Sequence, residues 1–308
     1  MQSSRVLVTG GAGFIGSHIV DAALVAGHEV AVIDNLSTGY ERNLNGQARF
    51  FRADITDRAR VGQVFSSFRP EYVIHHAAQI DVRRSVSDPA HDARVNIEGS
   101  INILEACHTH GVRKVVYASS AALYGDPRYL PVDEEHPVAP LAPYGASKHT
   151  VEHYLEIFNS LYDLSYTALR YSNVYGPRQD PKGEGGVVAI FTDRLLKGEG
   201  VRIYGDGEQT RDFVFVHDIA RANLLALASS YCGIINISGG SEISVNALFE
   251  TMVRVHGQSV SCTHAPERAG EIRRSILANN RAKEAIGWGP AVDLEDGLRE
   301  TLTYQARG

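Results

Sequence analysis

The chain has 308 residues, 44% of them hydrophobic and 21% charged, with a formal net charge of −6. That size suits one large α/β domain or two closely packed lobes. The charge disfavours a general binder of nucleic acid or anionic membranes, either of which presents a basic face. Cys107, Cys232 and Cys262 are far apart and form no CxxC or Cys/His pattern, so they are expected to be buried or half-buried free thiols, with no metal. No charged, long-hydrophobic and small-residue signal precedes the first apolar run, and no run approaches the roughly 20 residues that cross a bilayer. A cytoplasmic location is expected.

Strand patterns fall at Arg5–Thr9, Glu29–Ile33, Ala48–Ala53, Glu71–His75, Arg113–Ala118 and Ser165–Arg170. Several are apolar at nearly every position, as strands covered on both faces must be. Helical patterns lie between them, among them Ile15–Ala26, Ala90–Thr109 and Tyr144–Leu161; Gly27 and Gly111 sit where such helices should stop. Alternating strands and helices predict an α/β fold with a doubly wound parallel sheet. After Asn173 glycine and proline become frequent, as in Tyr175-Gly176-Pro177-Arg178, which predicts a second, ligand-covering lobe. The expected division is residues 1–172 with about 211–238 in the first lobe, and 173–210 with 239–308 in the smaller one.

The first strand runs into Gly10-Gly11-Ala12-Gly13-Phe14-Ile15-Gly16. Glycines at this spacing let the backbone turn tightly and approach a pyrophosphate, which the next helix meets with free N–H groups and its positive end. The second strand ends at Asp34, whose carboxylate suits two ribose hydroxyls and repels a 2′-phosphate. The pattern therefore predicts a Rossmann-type sheet that binds NAD in preference to NADP. Asp54, after the third strand, fits an adenine contact or an Asx-turn equally well.

Tyr144-Gly145-Ala146-Ser147-Lys148 sets a phenol and an ammonium one helical turn apart. A free phenol, with a pKa of about 10, is a poor base near neutrality. A neighbouring lysine and an oxidised nicotinamide are expected to lower that pKa. Ala118-Ser119-Ser120-Ala121-Ala122 follows the fifth strand, and Ser120 is expected to relay a proton between substrate and Tyr144. Ser119 either supports the loop or shares that relay. His75 and His76 are adjacent, so on a strand they point to opposite faces and read as core or turn residues.

Together these motifs resemble the extended short-chain dehydrogenase/reductases, and within them the UDP-glucose 4-epimerases. The likeness extends through His76-Ala77-Ala78-Gln79, Tyr171-Ser172-Asn173, Arg211-Asp212-Phe213 and Pro266-Glu267-Arg268-Ala269-Gly270-Glu271. It implies NAD contacts at Gly10, Gly13, Phe14, Ile15, Gly16, Asp34, Asn35, Asp54, Ile55, Ala77, Ala78, Gln79, Asn96, Lys148 and Tyr171. It implies a UDP-sugar held by Asn173, Tyr204, Arg211, Arg268 and Glu271, with Ser275 governing room beside C2 of the sugar, and catalysis by Ser120, Tyr144 and Lys148. Glu271 stands where the family usually has aspartate, and Ser172 where some members have a bulkier residue.

The implied reaction inverts C4 of UDP-glucose or UDP-galactose: hydride leaves C4 for NAD and returns to the opposite face of a 4-keto sugar. Related 4,6-dehydratases carry acids where this chain has Ala121 and Ala122, which argues against elimination. Ser275 leaves N-acetylated UDP-hexoses as alternative substrates. Arg273 and Arg274 leave UDP-glucuronate as another, unless they are surface charges before a helix at Ala282–Ile286. A non-catalytic NAD-binding scaffold is disfavoured by the complete set of Ser120, Tyr144 and Lys148. The resemblance also implies a homodimer through the helices 96–109 and 144–161, with Ile97, Ile101, Leu104, Leu155 and Phe158 suited either to that interface or to packing on the sheet.

Overall fold

The computed structural model describes residues 3–182, 186–267 and 272–307. Six strands arise close to their predicted bounds: β1 (Arg5–Thr9), β2 (Glu29–Asp34), β3 (Arg49–Arg52), β4 (Tyr72–His75), β5 (Lys114–Ser120) and β6 (Ser165–Tyr171). The helices between them are α1 (Phe14–Val25), α2 (Arg58–Phe68), α3 (Val82–Ser87), α4 (Pro89–Ala93), α5 (Gly99–Thr109) and α6 (Pro143–Tyr162). The predicted helix Ala90–Thr109 is interrupted by a π-helical stretch, Arg94–Glu98, that carries Asn96. Such bulges often mark functional sites. Gly27 and Gly111 end their helices in the left-handed conformation, at φ 84° and 68°.

Beyond β6 come β7 (Asn173–Tyr175), α7 (Val187–Leu196), β8 (Val201–Tyr204), β9 (Thr210–Phe215), α8 (Val216–Ala228) and β10 (Gly233–Ile237). The chain continues through β11 (Glu242–Ser244), α9 (Val245–His256), β12 (Cys262–Ala265), α10 (Asn280–Ile286) and α11 (Leu294–Gln305). The main sheet has the order β10-β6-β5-β4-β1-β2-β3, and every neighbouring pair in it is parallel. The order reverses between β1 and β4, so the crevice beyond their C-terminal ends is the expected ligand site.

Helices cover both faces of this sheet. Val8, Val32, Val116 and Leu169 turn toward α1 and α8, in one core with Ile19, Ile219 and Ala226. Leu7, Ile33, Val115 and Ala168 turn the other way, onto Phe65 of α2, Leu104 of α5 and Leu155 of α6. Alternation along each strand, apolar on both sides, is why these strands read as continuous hydrophobic runs. Leu104, Leu155 and Phe158 therefore pack on the sheet. The outer side of α6 exposes Ile157, Leu161 and Tyr162 instead.

The remaining elements form a separate core from Tyr175, Phe191, Ile203, Phe215, Leu248, Met252 and Leu298. Two small sheets, β11-β9-β7 and β12-β8, run through it. Only Ser172 separates β6 of the main sheet from β7 of the small one, and its N–H donates to the Ile237 carbonyl of β10. Tyr171 and Asn173 thus sit on different sheets across one residue. α10 and Trp288 pack into the main-sheet core beside α8, although they fall in the stretch 239–308 expected in the smaller lobe.

Cys107 is buried, and burial raises its thiol pKa; Cys232 and Cys262 are exposed rather than half-buried, and all three are free. Among the described residues, no helix is long and apolar enough to cross a membrane, and no group of three or more His, Cys, Asp or Glu side chains is placed to hold a metal.

Candidate active site

The glycine loop joins β1 to α1 at the sheet's C-terminal edge. Gly10 takes φ 71°, and a Cβ there would lie 2.7 Å from the Ala77 amide nitrogen, so the loop abuts the turn after β4. A Cβ on Gly16 would lie 2.1 Å from the Gly10 carbonyl oxygen, which forces helix and loop into backbone contact. A Cβ on Gly13 would meet only that same oxygen, at 3.2 Å. Protein packing therefore asks little of position 13, and its bare backbone leaves room for a ligand. Helix α1 begins at Phe14 with no side-chain cap and no acid in its first turn, so the N–H groups around Phe14 and Ile15 keep their donor capacity.

Asp34 closes β2. One carboxylate oxygen accepts from the Ala12 N–H at 3.0 Å, the other from the Leu36 N–H at 2.8 Å. Each oxygen keeps a lone pair for a ribose hydroxyl. Asn35 donates to Asp54, whose other oxygen accepts from the amide and hydroxyl of Thr56. Burial acts to raise the Asp54 pKa, but these hydrogen bonds outweigh it and hold the carboxyl below its ordinary value. The Asx-turn considered from sequence is thus present. Its neighbour Ile55 presents its carbonyl to Asn102. An uncapped helix start, a tolerant Gly13 and a ribose-ready carboxylate form a cradle whose chemistry fits NAD.

The turn His76–Gln79 is held from both sides. The Thr9 hydroxyl accepts from the His76 and Ala77 amides, and Asn96 accepts from the Gln79 amide while donating to its carbonyl. Asn96 also donates to Asp92 and to Ser147 Oγ on α6, locking the helix that carries Tyr144 against the turn. Ala78 lies within this pinned turn. His75 bridges Thr9 and Ser100, whereas His76 turns toward Asn223 of α8 and stacks on Tyr171. Burial pushes both imidazoles down to about 3, so they are neutral structural groups.

The reactive side chains converge at the end of β5. Ser120 closes the strand, and its Oγ accepts from the Ala122 amide at 3.2 Å. A hydrogen bond from the Ser120 hydroxyl favours ionisation of the Tyr144 phenol. The Lys148 ammonium donates to the Ala118 carbonyl at 2.7 Å and lies 6.0 Å from the Tyr144 ring centre. The neighbouring hydroxyl faces away: Ser119 donates to Glu152 at 2.6 Å. That carboxylate forms a two-pronged pair with Arg170, at 2.9 and 2.7 Å, and both side chains are buried. Ser119 therefore supports the scaffold.

In the protein alone, burial is the largest influence on Tyr144 and raises its pKa above 10; the Ser120 hydrogen bond only partly offsets it, and the charge of Asp92 adds to the rise. Burial also pushes Lys148 itself down to about 8, against the opposing pull of Asp92 and Glu152. Sequence reasoning missed both carboxylates. Each lies on a helix among polar residues, with no local pattern to mark it as buried.

Tyr171, at the end of β6, accepts from Asn223, and its hydroxyl lies 3.2 Å from His76 Nε2. Asn173, at the start of β7, donates to the Asp212 carbonyl. Arg211 Nη1 donates to the Thr210 and Ile272 carbonyls. Tyr204 ends β8 near Gly205, Gln209 and Ile272. Ser275 is half-buried on the segment that bonds Thr210 through the Arg273 carbonyl and Val132 through the Ile276 carbonyl. Arg268 and Glu271 lie outside the described residues. Arg273 pairs with Asp206 at the surface and Arg274 with the half-buried Glu242, and both guanidinium groups are exposed, so these two arginines behave as solvated charges. A cavity of about 710 Å³ between α1, α8 and α11 is lined by none of the residues named above as candidate ligands.

A parallel sheet with a nucleotide cradle and a Ser-Tyr-Lys set at its crevice defines a dinucleotide-dependent enzyme. Residues 6–238 match the NAD dependent epimerase/dehydratase family, and the chain belongs to that family. It is 48% identical to the crystallised UDP-glucose 4-epimerase of Thermotoga maritima, with a TM-score of 0.96, covering 98% of this chain and 99% of that one. It is 46% identical to the Thermus thermophilus UDP-glucose 4-epimerase solved with NAD, with a TM-score of 0.93 over 99% of both chains. The UDP-glucose 4-epimerase of Mycolicibacterium smegmatis is 44% identical over 97% of this chain and 98% of its own.

Proposed function

We propose that this chain is a UDP-glucose 4-epimerase that interconverts UDP-glucose and UDP-galactose with NAD. The observation that carries this reading is the meeting of Ser120, Tyr144 and Lys148 at the end of β5, beside the glycine cradle, in a chain 48% identical to a protein crystallised as that enzyme with UDP-glucose.

Bound NAD would supply a reversible hydride acceptor for the sugar C4 and a positive charge beside Tyr144. Tyr144 removes and returns the C4 hydroxyl proton, with the Ser120 hydroxyl bridging phenol and sugar. Burial keeps Tyr144 protonated until positive charge stands next to it, which couples the base to the loaded state. Lys148, held by Ala118, supports the charge and the nicotinamide ribose with Tyr171. Asp34 takes the adenosine ribose, Asn35, Asp54 and Ile55 the adenine side, and Gly13, Phe14 and Ile15 the pyrophosphate. Ala77, Ala78, Gln79 and Asn96 wall the crevice.

Asn173, Tyr204 and Arg211, joined by Arg268 and Glu271, anchor the UDP. A guanidinium fork suits a diphosphate better than any other side chain. Gripping the nucleotide and leaving the hexose loose lets the keto sugar turn over between the two transfers. Ala121 and Ala122 supply no acid for elimination, so C4 inversion is favoured over dehydration.

A second substrate is favoured by Ser275. Its small side chain leaves room for an N-acetyl group, and a UDP-N-acetylglucosamine 4-epimerase of Methanobrevibacter ruminantium is 39% identical. A homodimer is proposed through α5 and α6, with Ile157, Leu161 and Tyr162 exposed on the outer face of α6. A cytoplasmic location suits an enzyme of phosphorylated metabolites. Incubation with UDP-glucose, UDP-N-acetylglucosamine and UDP-glucuronate without added NAD, followed by separation of C4 epimers, tests the reading. Conversion of UDP-glucose is expected; no C4 epimer of any of the three would overturn it.

A further inference from the structure

On the outer side of α6, one turn beyond Tyr144, two histidines stand at i and i+4. His149 Nε2 and His153 Nε2 lie 3.1 Å apart, with ring centres separated by 4.5 Å. At this distance one neutral ring donates its N–H to the lone pair of the other, and a cation that displaces that single proton is met by both nitrogens. With metal–nitrogen bonds of about 2.0–2.1 Å, that spacing closes to an angle of roughly 100° at an ion between them, within the tetrahedral-to-octahedral range.

The other nitrogen of His149 is already fixed. Its Nδ1 lies 3.2 Å from Glu152 Oε2, and Arg170 holds that carboxylate in place. A carboxylate behind the far nitrogen orients the ring and presents Nε2 outward as a lone-pair donor, the support that metal-binding histidines ordinarily have. In the single chain His149 is partly accessible and His153 is exposed, so an ion and its completing waters have access before the subunits associate.

We propose that His149 and His153 form a two-ligand site for a borderline transition-metal ion of the Zn²⁺, Ni²⁺ or Cu²⁺ class on the outer face of α6. Hard cations such as Mg²⁺, which favour oxygen, are not its ligands. The site lies two hydrogen bonds from the catalytic strand, His149 to Glu152 and Glu152 to Ser119 of β5. His153 and Ile157 share one face of α6, so where that face meets its twin in the proposed dimer two such pairs share one ion, and the stoichiometry there is one ion per two chains.

The test uses the untagged, NAD-loaded protein, with Zn²⁺ titrated in competition with a chromophoric chelator, and thermal unfolding with Zn²⁺ and with Mg²⁺. Wild type should bind one ion per chain or per two chains, and unfold at higher temperature in Zn²⁺ but not in Mg²⁺. His153→Gln, exposed and remote from substrate, should weaken Zn²⁺ at least tenfold and lose the shift, with unchanged NAD content and unfolding temperature in metal-free buffer. His149→Gln should do the same to Zn²⁺ binding. Equal Zn²⁺ affinity in wild type and His153→Gln, or none in wild type, would overturn the site.

Discussion

Ser119 and Ser120 are neighbours on β5 and serve opposite sides of it: Ser119 donates to the buried Glu152–Arg170 pair, and Ser120 hydrogen-bonds the Tyr144 phenol. The period-two alternation of a strand makes this division unavoidable. Ser120→Ala is expected to lower kcat by roughly ten- to a thousandfold with little loss of stability. Ser119→Ala should cost about 1–3 kcal/mol of stability, by leaving Glu152 short of a donor, and leave kcat nearly intact. Parallel rate and denaturation measurements on the two variants check this; equal kcat losses would contradict it.

The ion pair behind Ser119 makes a sharper stability prediction. Glu152→Ala strands the buried Arg170 guanidinium and should cost about 3–5 kcal/mol, read by urea unfolding. Joint replacement of both partners by apolar residues of similar volume should recover much of that loss. A cost below about 1 kcal/mol for Glu152→Ala would mean that the pair is solvated.

The glycines of the loop separate fold from ligand. Gly16→Ala drives a methyl to 2.1 Å from the Gly10 carbonyl oxygen, so it should destabilise the protein itself. Gly13→Ala meets only a 3.2 Å contact, so it should fold and lose NAD affinity instead. Unfolding temperature and NAD content after purification distinguish the two; a Gly13→Ala protein that retains NAD fully would remove position 13 from the cradle.

Asp212 gives a pH signature. It is buried and accepts from the Leu277 and Gly239 amides, yet burial outweighs those bonds and raises its pKa to about 6. The folded state therefore holds its proton more tightly than the unfolded one, whose carboxyl titrates at about 3.9. The resulting stabilisation is complete below about pH 4 and is lost as pH rises through 6, by roughly 3 kcal/mol at most. Asp212→Asn lacks this titration. The stability of wild type relative to Asp212→Asn should fall from pH 4 to pH 7, as followed by chemical denaturation; a flat difference would contradict the assignment.

Local pattern made six of the seven main-sheet strands, the glycine cradle and the Tyr144–Lys148 spacing legible, because each depends on residues close in sequence. Partners far apart in sequence were not. Nothing in Gly233–Ile237 announces that it pairs with β6, and nothing in Glu152 or Arg170 announces their pairing across 18 positions. The rise in the Tyr144 pKa was hidden for the same reason: it comes from burial and from Asp92, which the chain brings near only on folding. The small sheets were foreseen only as a loop-rich lobe, since three-residue strands such as β7 and β11 have no period to read.

The account rests on Tyr144 as the base, and the rate of UDP-galactose formation from UDP-glucose tests that most directly. Tyr144→Phe, matched to wild type in bound NAD and unfolding temperature, should lose about a hundredfold to ten-thousandfold in kcat. A variant that turns over at the wild-type rate would contradict the central claim.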